Sequence, residues 1–542
     1  MIDAIIIADT GDDTFSASSS LRLKIGERMA LIQNIRNLIE NQGRIIEPIE
    51  GEHDSNWHDA PRLNGVLLFS YLQKSGHKVA LIDSYYRERN TFIKLLRDNP
   101  KVIIISTTFI VNKRELRNLV DDIRSEAPGI QIVAGGPFVY SSFLLQQRSN
   151  DKDYDVVSPM NDFLFLSKDD NPDIDYFIIS RSGLDVLSEL LSRLKSGNRS
   201  TSDLPNLCTR HGTRYSFSDC RESGLRPSDL DIDWQNVPDS VFRSGVVNVQ
   251  ASVGCPFRCA FCNFVKDRKY MFVKPLEKLV LELKTISAKG IRYVRFVDDN
   301  LRLDMKSLNR FCSRLVKEEL DLNWMSFVRA STLEKSDIDL IRRSGCIEAQ
   351  MGVESADSTV LKNMCKAADP EMYSKTVPRL LDAGINCSCC FIVGFPGETR
   401  ETFRRTLEFI KSIPDDHQEG IFTWSIYPFL LAPLSSIYEQ ENRTKYGLEG
   451  YMGKWRHHTM DSREAQRCIV EAYNEIQNSS PIYSGDNLDM MMRLSLQERR
   501  KFMKLRHELS KEFAANPLKE QDMQVIADRF SQVLGESRRE NA

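Results

Sequence analysis

Three cysteines stand within eight residues of this chain, in the segment Cys255-Pro-Phe-Arg-Cys259-Ala-Phe-Cys262. Such a C-x3-C-x2-C spacing is rare at this cysteine frequency, and thiolates are ligands for soft metals. A structural zinc site needs a fourth ligand, commonly from a second cysteine pair or a histidine pair. The eight histidines are scattered, and the segment Cys387-Ser-Cys389-Cys390 alternates along a predicted strand and cannot close one small site. The pattern favours an iron–sulfur cubane that three cysteines hold, with one iron left open to a ligand.

Other residues that can do chemistry follow the predicted strands downstream. Asp298-Asp299-Asn300 offers two carboxylates to an ammonium group, and Arg329 offers a guanidinium that forks onto carboxylates. Glu354-Ser355 and Gly394-Phe-Pro396-Gly397-Glu398-Thr399 end two later strands. Each feature also has a purely structural interpretation: a solvated loop, an ordinary ion pair, or a turn with a threonine helix cap. Their position at successive strand ends behind the cysteines favours one shared site.

The composition excludes several classes of function. The 542 residues include 73 Lys and Arg against 76 Asp and Glu, a formal net charge of −3, which gives no argument for nucleic-acid binding. Hydrophobic residues make up 41% and charged residues 27%, which is an ordinary globular balance, and the length of the chain suggests three or four domains. No apolar run approaches a membrane span, and the N-terminus lacks the basic region of a signal peptide. We therefore expect a soluble, cytoplasmic protein whose twelve cysteines are thiols.

Residues 1–195 predict a doubly wound, Rossmann-like α/β domain, because continuous apolar strands alternate with helices. Strands are predicted at the N-terminus and at His77–Asp83, Val102–Ser106, Ile130–Ala134 and Asp175–Ile179. Helices are predicted at Leu63–Gly76, Arg89–Arg97, Lys113–Glu126 and Leu184–Leu194. Residues 196–244 are polar and predict a linker that contains a hairpin at Asn206–Arg210 and Arg214–Phe217.

Residues 245–432 predict a partial (β/α)6 barrel, whose reactive groups are expected in the loops after the strands. Its strands are predicted at Val246–Val253, Ile291–Val297, Asn323–Arg329, Ile347–Val353, Cys387–Val393 and Ile421–Leu430. Amphipathic helices between them include Leu276–Lys289, Lys306–Glu319 and Arg400–Ile413. Residues 433–542 predict a charged helical region in which Asp461 and Glu464 begin a helix. The preceding segment 454–460 is either packed aromatics beside that cap or a pocket wall with His457 or His458 as proton donor.

The segment from Ser252 to Cys262 resembles the signature of radical S-adenosylmethionine (SAM) enzymes. The resemblance implies that Cys255, Cys259 and Cys262 bind a 4Fe-4S cluster whose open iron chelates SAM. Reductive cleavage of SAM would give a 5′-deoxyadenosyl radical, while the protein positions SAM and the target C–H bond. An external electron donor of the flavodoxin or ferredoxin type is implied as a partner.

The same resemblance implies SAM contacts from residues at the strand ends. Phe261 stands in the place of an apolar residue near the adenine. Asp298-Asp299 stands where most members carry Gly-Gly-Glu for the SAM amino group, and Arg329 is a candidate partner of the SAM carboxylate. The full set of implied SAM contacts is Phe261, Asp298, Asp299, Arg329, Glu354, Ser355, Gly394 and Pro396.

In the first region, Leu63–Asp83, Pro100–Phe109 and Pro128–Pro137 resemble the cobalamin-binding domain found ahead of many radical SAM barrels. The usual Asp-x-His-x-x-Gly motif is absent, which implies that no protein histidine faces the cobalamin. The segment Ser180-Arg181-Ser182 departs from the family's Gly-Glu-Gly-Glu element. The alternative is a Rossmann-like domain that binds nothing. The implied cobalamin pocket lies at the carboxyl ends of the strands and consists of Ser106, Thr107, Gly135, Gly136 and Pro137.

Together the two resemblances imply a cobalamin-dependent radical SAM methyltransferase that methylates an unactivated carbon of a small molecule or peptide in natural-product biosynthesis. An alternative enzyme rearranges, oxidises or cyclises its substrate without methyl transfer. A tRNA methylthiotransferase would need three further cluster cysteines upstream, whereas only Cys208 and Cys220 precede Cys255. A sensor whose cluster only reports oxygen is the remaining alternative.

Overall fold

The computed structural model describes residues 2–11, 21–26, 28–45, 55–167, 171–198, 200–212, 214–221, 226–263, 271–413, 419–513 and 520–535. Two seven-stranded sheets organise these residues. No helix in the described ranges is both long enough and apolar enough to cross a membrane.

The N-terminal part alternates strands and helices. Its strands are β1 (Ala4–Ile7), β2 (Lys24–Ile25), β3 (Arg28–Met29), β4 (Val79–Ile82), β5 (Val102–Ser106), β6 (Gln131–Gly135), β7 (Tyr176–Ile178), β8 (Leu207–His211) and β9 (Arg214–Phe217). Its helices are α1 (Ile32–Glu40), α2 (Leu63–Lys74), α3 (Arg89–Leu96), α4 (Lys113–Glu126), α5 (Pro137–Gln147) and α6 (Leu184–Lys195).

The first sheet confirms the predicted doubly wound fold. Its order is β4-β1-β5-β6-β7-β8-β9, with the first five strands parallel. Strands β1 and β5 are completely buried because helices cover both faces of the sheet. The order reverses between β1 and β5, which is where open parallel sheets bind ligands. The hairpin β8–β9 pairs antiparallel with β7, so this sheet extends past the predicted boundary at residue 195.

The middle of the chain forms the barrel. Its strands are β10 (Val246–Val249), β11 (Ser252–Val253), β12 (Phe272–Val273), β13 (Tyr293–Phe296), β14 (Asn323–Phe327), β15 (Cys346–Glu354), β16 (Asn386–Val393) and β17 (Phe422–Pro428). Its helices are α7 (Leu276–Ala288), α8 (Met305–Glu318), α9 (Ala330–Leu333), α10 (Ile338–Arg343), α11 (Ser358–Asn363), α12 (Pro370–Asp382) and α13 (Arg400–Ser412).

The C-terminal part is mostly helical. Its helices are α14 (Gln440–Tyr446), α15 (Ser462–Glu475), α16 (Leu488–Arg493), α17 (Leu496–Phe513) and α18 (Glu520–Gly535). Its short strands are β18 (Glu449–Tyr451), β19 (Lys454–Arg456) and β20 (Ser480–Pro481).

The second sheet is parallel throughout, in the order β10-β13-β14-β15-β16-β17-β20. All six predicted barrel strands are present, and β20 adds a seventh from the C-terminal part. One face of the sheet buries apolar side chains such as Trp324 and Trp424 in the main core, against the surrounding helices. Because successive side chains on a strand alternate, the other face carries Asn248, Arg295 and Glu348, which line the interior.

Helix α1 packs against the C-terminal helices. Ile32, Ile35 and Leu38 share a core cluster with Phe502 and Phe530 of the C-terminal helices. This part of the predicted Rossmann-like domain therefore belongs by its packing to the C-terminal helical region.

Candidate functional site

The cysteine loop leaves the barrel after β11. Strand β11 pairs antiparallel with β12, so the base of the loop is closed by a two-stranded ribbon. Cys255 is buried, Cys259 and Cys262 are partly exposed, and all three are thiols. Within the described ranges, no three His, Cys, Asp or Glu side chains converge closely enough to hold a metal ion. The three sulfurs thus lie on one loop without converging on a metal site, and their role as cluster ligands stays a prediction.

Two carboxylates after β13 hold the start of this loop. Asp298 accepts hydrogen bonds from the Ala251 amide (3.1 Å) and the Ser252 hydroxyl (2.5 Å), and Asp299 accepts from the Gly254 amide (2.9 Å). Burial raises the pKa of the Asp298 carboxyl to about 6. Both oxygens of Asp298 are thus engaged inside the protein. In this structure the two aspartates position the cysteine loop, and their contact with SAM stays a prediction.

Arg329 lies beside the cysteine loop. Its Nη1 donates to the Cys259 Sγ at 3.8 Å, and its Cζ lies 3.6 Å from the centre of the Phe257 ring. Its Nη2 is buried and has no hydrogen-bond partner among the described residues. A guanidinium with an unsatisfied buried N–H fits a carboxylate ligand. The loop offers three soft sulfur donors, and Arg329 lies next to them. This arrangement suits an iron–sulfur cluster whose open iron binds a ligand that carries a carboxylate.

Glu354 ends β15 in a left-handed backbone conformation, with φ of 66°. Its Oε1 lies 2.7 Å from the Nζ of Lys366, and both side chains are buried. A Cβ at Gly352 would lie 2.3 Å from the same oxygen, so the glycine leaves room for this carboxylate. Ser355 is fully buried: its hydroxyl lies 3.3 Å from that of Thr406 and accepts from the Asp357 amide. Of the predicted SAM contacts Glu354 and Ser355, only Glu354 has a charged side chain at this strand end.

The loop Gly394–Thr399 is fixed by its neighbours. The Glu398 carboxyl is buried and accepts from the Gly394 amide, and burial raises its pKa to about 8. Asn363 donates to the carbonyl of Pro396 at 3.1 Å. Gly394 has φ of 91°, and a Cβ there would meet the Trp455 ring. Thr399 caps α13, as one interpretation of the sequence predicted.

The segment 454–461 is part of the packed structure behind this loop. Trp455 stacks on His457 with 5.2 Å between ring centres, and the Nε2 of His457 lies 3.0 Å from the Gly394 carbonyl. Asp461 caps α15 by accepting from the Glu464 amide. The interpretation as a cap with packed aromatics agrees with these contacts.

Phe261 connects the cysteine loop to these aromatics. Its ring meets Phe395 edge-on at 6.4 Å, Phe395 meets Phe429 at 5.1 Å, and Phe429 lies 5.4 Å from Trp455. The backbone of Ala260 adds hydrogen bonds to Met364 and Ile437. The loop is therefore anchored from several directions. Sequence reasoning missed Lys366 and Asn363, and it did not identify Gly394 as the packing partner of Trp455, since each contact joins residues distant in the chain.

The carboxyl edge of the first sheet carries the predicted cobalamin residues. The amide and hydroxyl of Thr107 both donate to the Gly135 carbonyl, at 2.8 and 3.0 Å. Gly136 has φ of 120°, and Pro137 begins α5. Ser106 accepts from the Nδ2 of Asn64 at 2.7 Å, while the buried Oδ1 of Asn64 has no hydrogen-bond partner in the described part of the chain. The unsatisfied amide oxygen of Asn64 and the side-chain-free backbone of Gly135 and Gly136 both lie at this edge. Together they fit a large polar ligand.

The segment 57–62 joins this edge to the barrel interior. The barrel residues Asn248 and Arg295 donate to the carbonyls of Pro61 (2.9 Å) and Trp57 (3.3 Å). Arg62 then pairs with Asp9, directly after β1, at 2.9 Å. The ligand edge of the first sheet and the interior face of the barrel are thus linked by one short segment.

Two family models match regions that include these sites. The Radical SAM superfamily matches residues 249–410, and the B12 binding domain matches residues 58–162. The chain carries both a radical SAM domain and a B12-binding domain. The radical SAM domain implies a 4Fe-4S cluster and SAM, and the B12-binding domain implies cobalamin, which confirms the predicted cofactors at the level of the domains.

Relatives and solved structures extend this result. An uncharacterized methyltransferase from Pyrococcus horikoshii is 30% identical over 32% of this chain and 38% of its own length. The anaerobic magnesium-protoporphyrin IX monomethyl ester cyclase of Rubrivivax gelatinosus is 26% identical over 34% of this chain and 33% of its own length. The chain thus matches little more than a third of these relatives. The cobalamin- and cluster-bound radical SAM methyltransferase TsrM from Kitasatospora setae is similar in fold, with a TM-score of 0.55, 15% identity, and coverage of 81% of this chain and 77% of that chain.

Proposed function

We propose that this protein is a cobalamin-dependent radical SAM methyltransferase that methylates an unactivated carbon of a small molecule or peptide in natural-product biosynthesis. The observation that supports this most is the link between the two ligand edges. The segment 57–62 contacts the barrel interior through Asn248 and the carboxyl end of β1 through Asp9. A substrate held between the two domains would therefore face both cofactors.

The chain's own residues have positioning roles in this proposal. When bound, the cluster with SAM supplies a carbon-centred radical and cobalamin supplies the methyl group. The free Nη2 of Arg329 orients a carboxylate next to the cysteine loop. Glu354 offers its paired carboxylate to hydroxyl groups of the bound nucleoside. Phe261 and Phe395 give an apolar wall that excludes water from the reacting groups.

The test is anaerobic reconstitution of the full chain with iron, sulfide and hydroxocobalamin, followed by absorbance and electron paramagnetic resonance spectroscopy. We expect bound iron, bound cobalamin, and cleavage of SAM to 5′-deoxyadenosine under a strong one-electron reductant. In the cell we expect an external flavodoxin- or ferredoxin-type donor in its place. Protein that takes up iron but no cobalamin would contradict the proposal, and protein that cleaves no SAM would favour the sensor.

A second candidate is a radical SAM enzyme that cyclises, oxidises or rearranges its substrate. The similarity to the magnesium-protoporphyrin ester cyclase favours it. Methyl transfer produces S-adenosylhomocysteine as well as 5′-deoxyadenosine, whereas cyclisation produces the deoxynucleoside alone. A methylthiotransferase is disfavoured, because Cys208 lies buried in β8 with a raised thiol pKa, and so does not serve a second cluster.

A further inference from the structure

A cavity of about 100 Å³ lies at the end of the barrel opposite to the cysteine loop. It opens at the first residues of β15, β16 and β17, where Ile347, Asn386 and Thr423 line it. Trp57 and the methionines Met491 and Met503 form apolar parts of its wall. None of these residues belongs to the sites described above, apart from the backbone contact of Trp57.

Arg499 lines this cavity with an uncompensated positive charge. Among the described residues, no carboxylate lies within 4 Å of its guanidinium, and its Nη1 contacts only the Met492 sulfur at 3.8 Å. Its Nε is buried and has no hydrogen-bond partner in those residues. Burial lowers the pKa of Arg499, and neighbouring Arg500 lowers it further. A partly buried guanidinium without a carboxylate partner is stabilised when an anion completes it, and its planar fork suits a carboxylate.

Glu348 supplies the opposite charge on the same cavity. It accepts from Ser388 at 2.7 Å and from Gln350 at 3.2 Å, and no lysine or arginine of the described chain lies within 4 Å of its carboxyl oxygens. Burial raises the pKa of Glu348, and the positive charge of Arg295 on the neighbouring barrel interior counteracts this shift. The other carboxylate of the lining, Asp486, is already engaged by Arg506 in two hydrogen bonds of 2.7 and 2.8 Å. The cavity therefore offers a ligand one guanidinium without a carboxylate partner and one acidic side chain without a direct ion pair.

We propose that this cavity binds a small zwitterion of the α-amino-acid type. The ligand's carboxylate meets Arg499, its ammonium group meets Glu348, and an apolar side chain lies against Trp57 and the methionines. Glu348 stands six residues before Glu354 on β15, which is about 20 Å along a strand. A ligand here is too far from the cysteine loop to be the carbon that reacts, so the site is separate from the substrate site and does not depend on the proposed function.

The test is isothermal titration calorimetry of the full-length protein, before and after cofactor reconstitution, with the proteinogenic amino acids as probes. For an amino acid that binds, such as leucine, the matched probes are 4-methylpentanoate, which lacks the amine, and 3-methylbutylamine, which lacks the carboxylate. We expect the zwitterion to bind at least tenfold more tightly than either analogue. We also expect the same affinity in the presence of SAM.

Arg499→Gln and Glu348→Gln should each weaken binding at least tenfold, while Arg493→Gln, an exposed arginine on neighbouring α16, should leave it unchanged. If Arg499→Gln does not fold, the nearly isosteric Glu348→Gln carries the test, with circular dichroism as the check on folding. The proposal is overturned if no amino acid binds, if both glutamine variants bind as the parent does, or if SAM abolishes binding.

Discussion

The two ligand-binding edges of this protein are fixed in different ways. In the barrel, acidic side chains hold the loops: Asp298 accepts from the Ala251 amide, Asp299 from the Gly254 amide, and Glu398 from the Gly394 amide. At the edge of the first sheet, the backbone of Thr107 and the absence of a side chain at Gly136 define the surface. A carboxylate that accepts backbone N–H groups fixes a loop without any ligand. The difference suggests that the barrel loops are ordered before SAM binds, whereas the first sheet provides a shape into which a large ligand fits.

The largest effect that separates the two edges should come from Cys259→Ala. Removal of one thiolate leaves two sulfurs on the loop, too few to hold a cubane with one open iron. We expect iron content and 5′-deoxyadenosine formation to fall to background while cobalamin absorbance after reconstitution stays unchanged. Cys220→Ala, which removes an exposed cysteine outside the loop, should leave both intact. Equal iron loading in the two variants would remove the cysteine loop as the cluster site.

Gly136→Ala should have the complementary effect on the first sheet. Gly136 adopts φ 120° and ψ −170°, a region essentially reserved for glycine, and a Cβ there would lie 3.0 Å from the Thr107 hydroxyl. We expect hydroxocobalamin affinity, measured by absorbance titration, to fall at least tenfold with iron content unchanged.

The matched control is Gly129→Ala, which also replaces a glycine at positive φ, 81°, but meets nothing within 4 Å. It should cost stability without a specific loss of cobalamin. If both alanine variants weaken cobalamin binding equally, the edge at Gly136 is not the binding surface.

The sequence predicted the elements well because their signals are local. The apolar run Val102–Ser106 and the helix Lys113–Glu126 have the predicted bounds, and the six barrel strands differ from prediction mainly at their ends. The cysteine loop was recognisable because three thiols in eight residues have few structural explanations.

What the sequence could not show depends on contacts between distant segments. The pairing of Lys366 with Glu354 and the contact of Trp455 with Gly394 leave no pattern in the chain, since either side chain alone has many ordinary roles. Ile32 reads as part of the first domain, and only tertiary packing places it against Phe502. Asp298 was predicted from its position at a strand end, but its engagement with Ser252 required the folded geometry.

The barrel loops should also make stability depend on pH. The pKa of the buried Glu398 carboxyl is raised from 4.5 to about 8. Between these values the folded protein keeps a proton that the unfolded chain has lost. The free energy of unfolding should therefore decrease as pH rises from 4.5 to 8, by up to about 1.4 kcal/mol per pH unit, and level off above 8.

Urea unfolding of the parent and of Glu398→Gln at several pH values measures this contribution. The amide keeps an acceptor for the Gly394 N–H but does not titrate, so the difference in stability between parent and variant should decline across the same range. A constant difference would mean that Glu398 is ionised in the folded protein.

The smallest effect distinguishes a positioning role from SAM binding at Asp298. Asp298→Ala leaves the Ala251 amide without its acceptor, and we expect a loss of about 2 kcal/mol in unfolding free energy and reduced iron loading. In Asp298→Asn, the amide oxygen can accept from Ala251 and the amide NH2 can donate to the Ser252 hydroxyl, so iron loading should recover. If the charge of Asp298 instead binds the SAM ammonium group, Asp298→Asn will load iron normally and still bind SAM at least tenfold more weakly in equilibrium dialysis. Unchanged SAM affinity in that variant assigns Asp298 to the loop alone and leaves Asp299, the exposed neighbour, as the carboxylate available to the ligand.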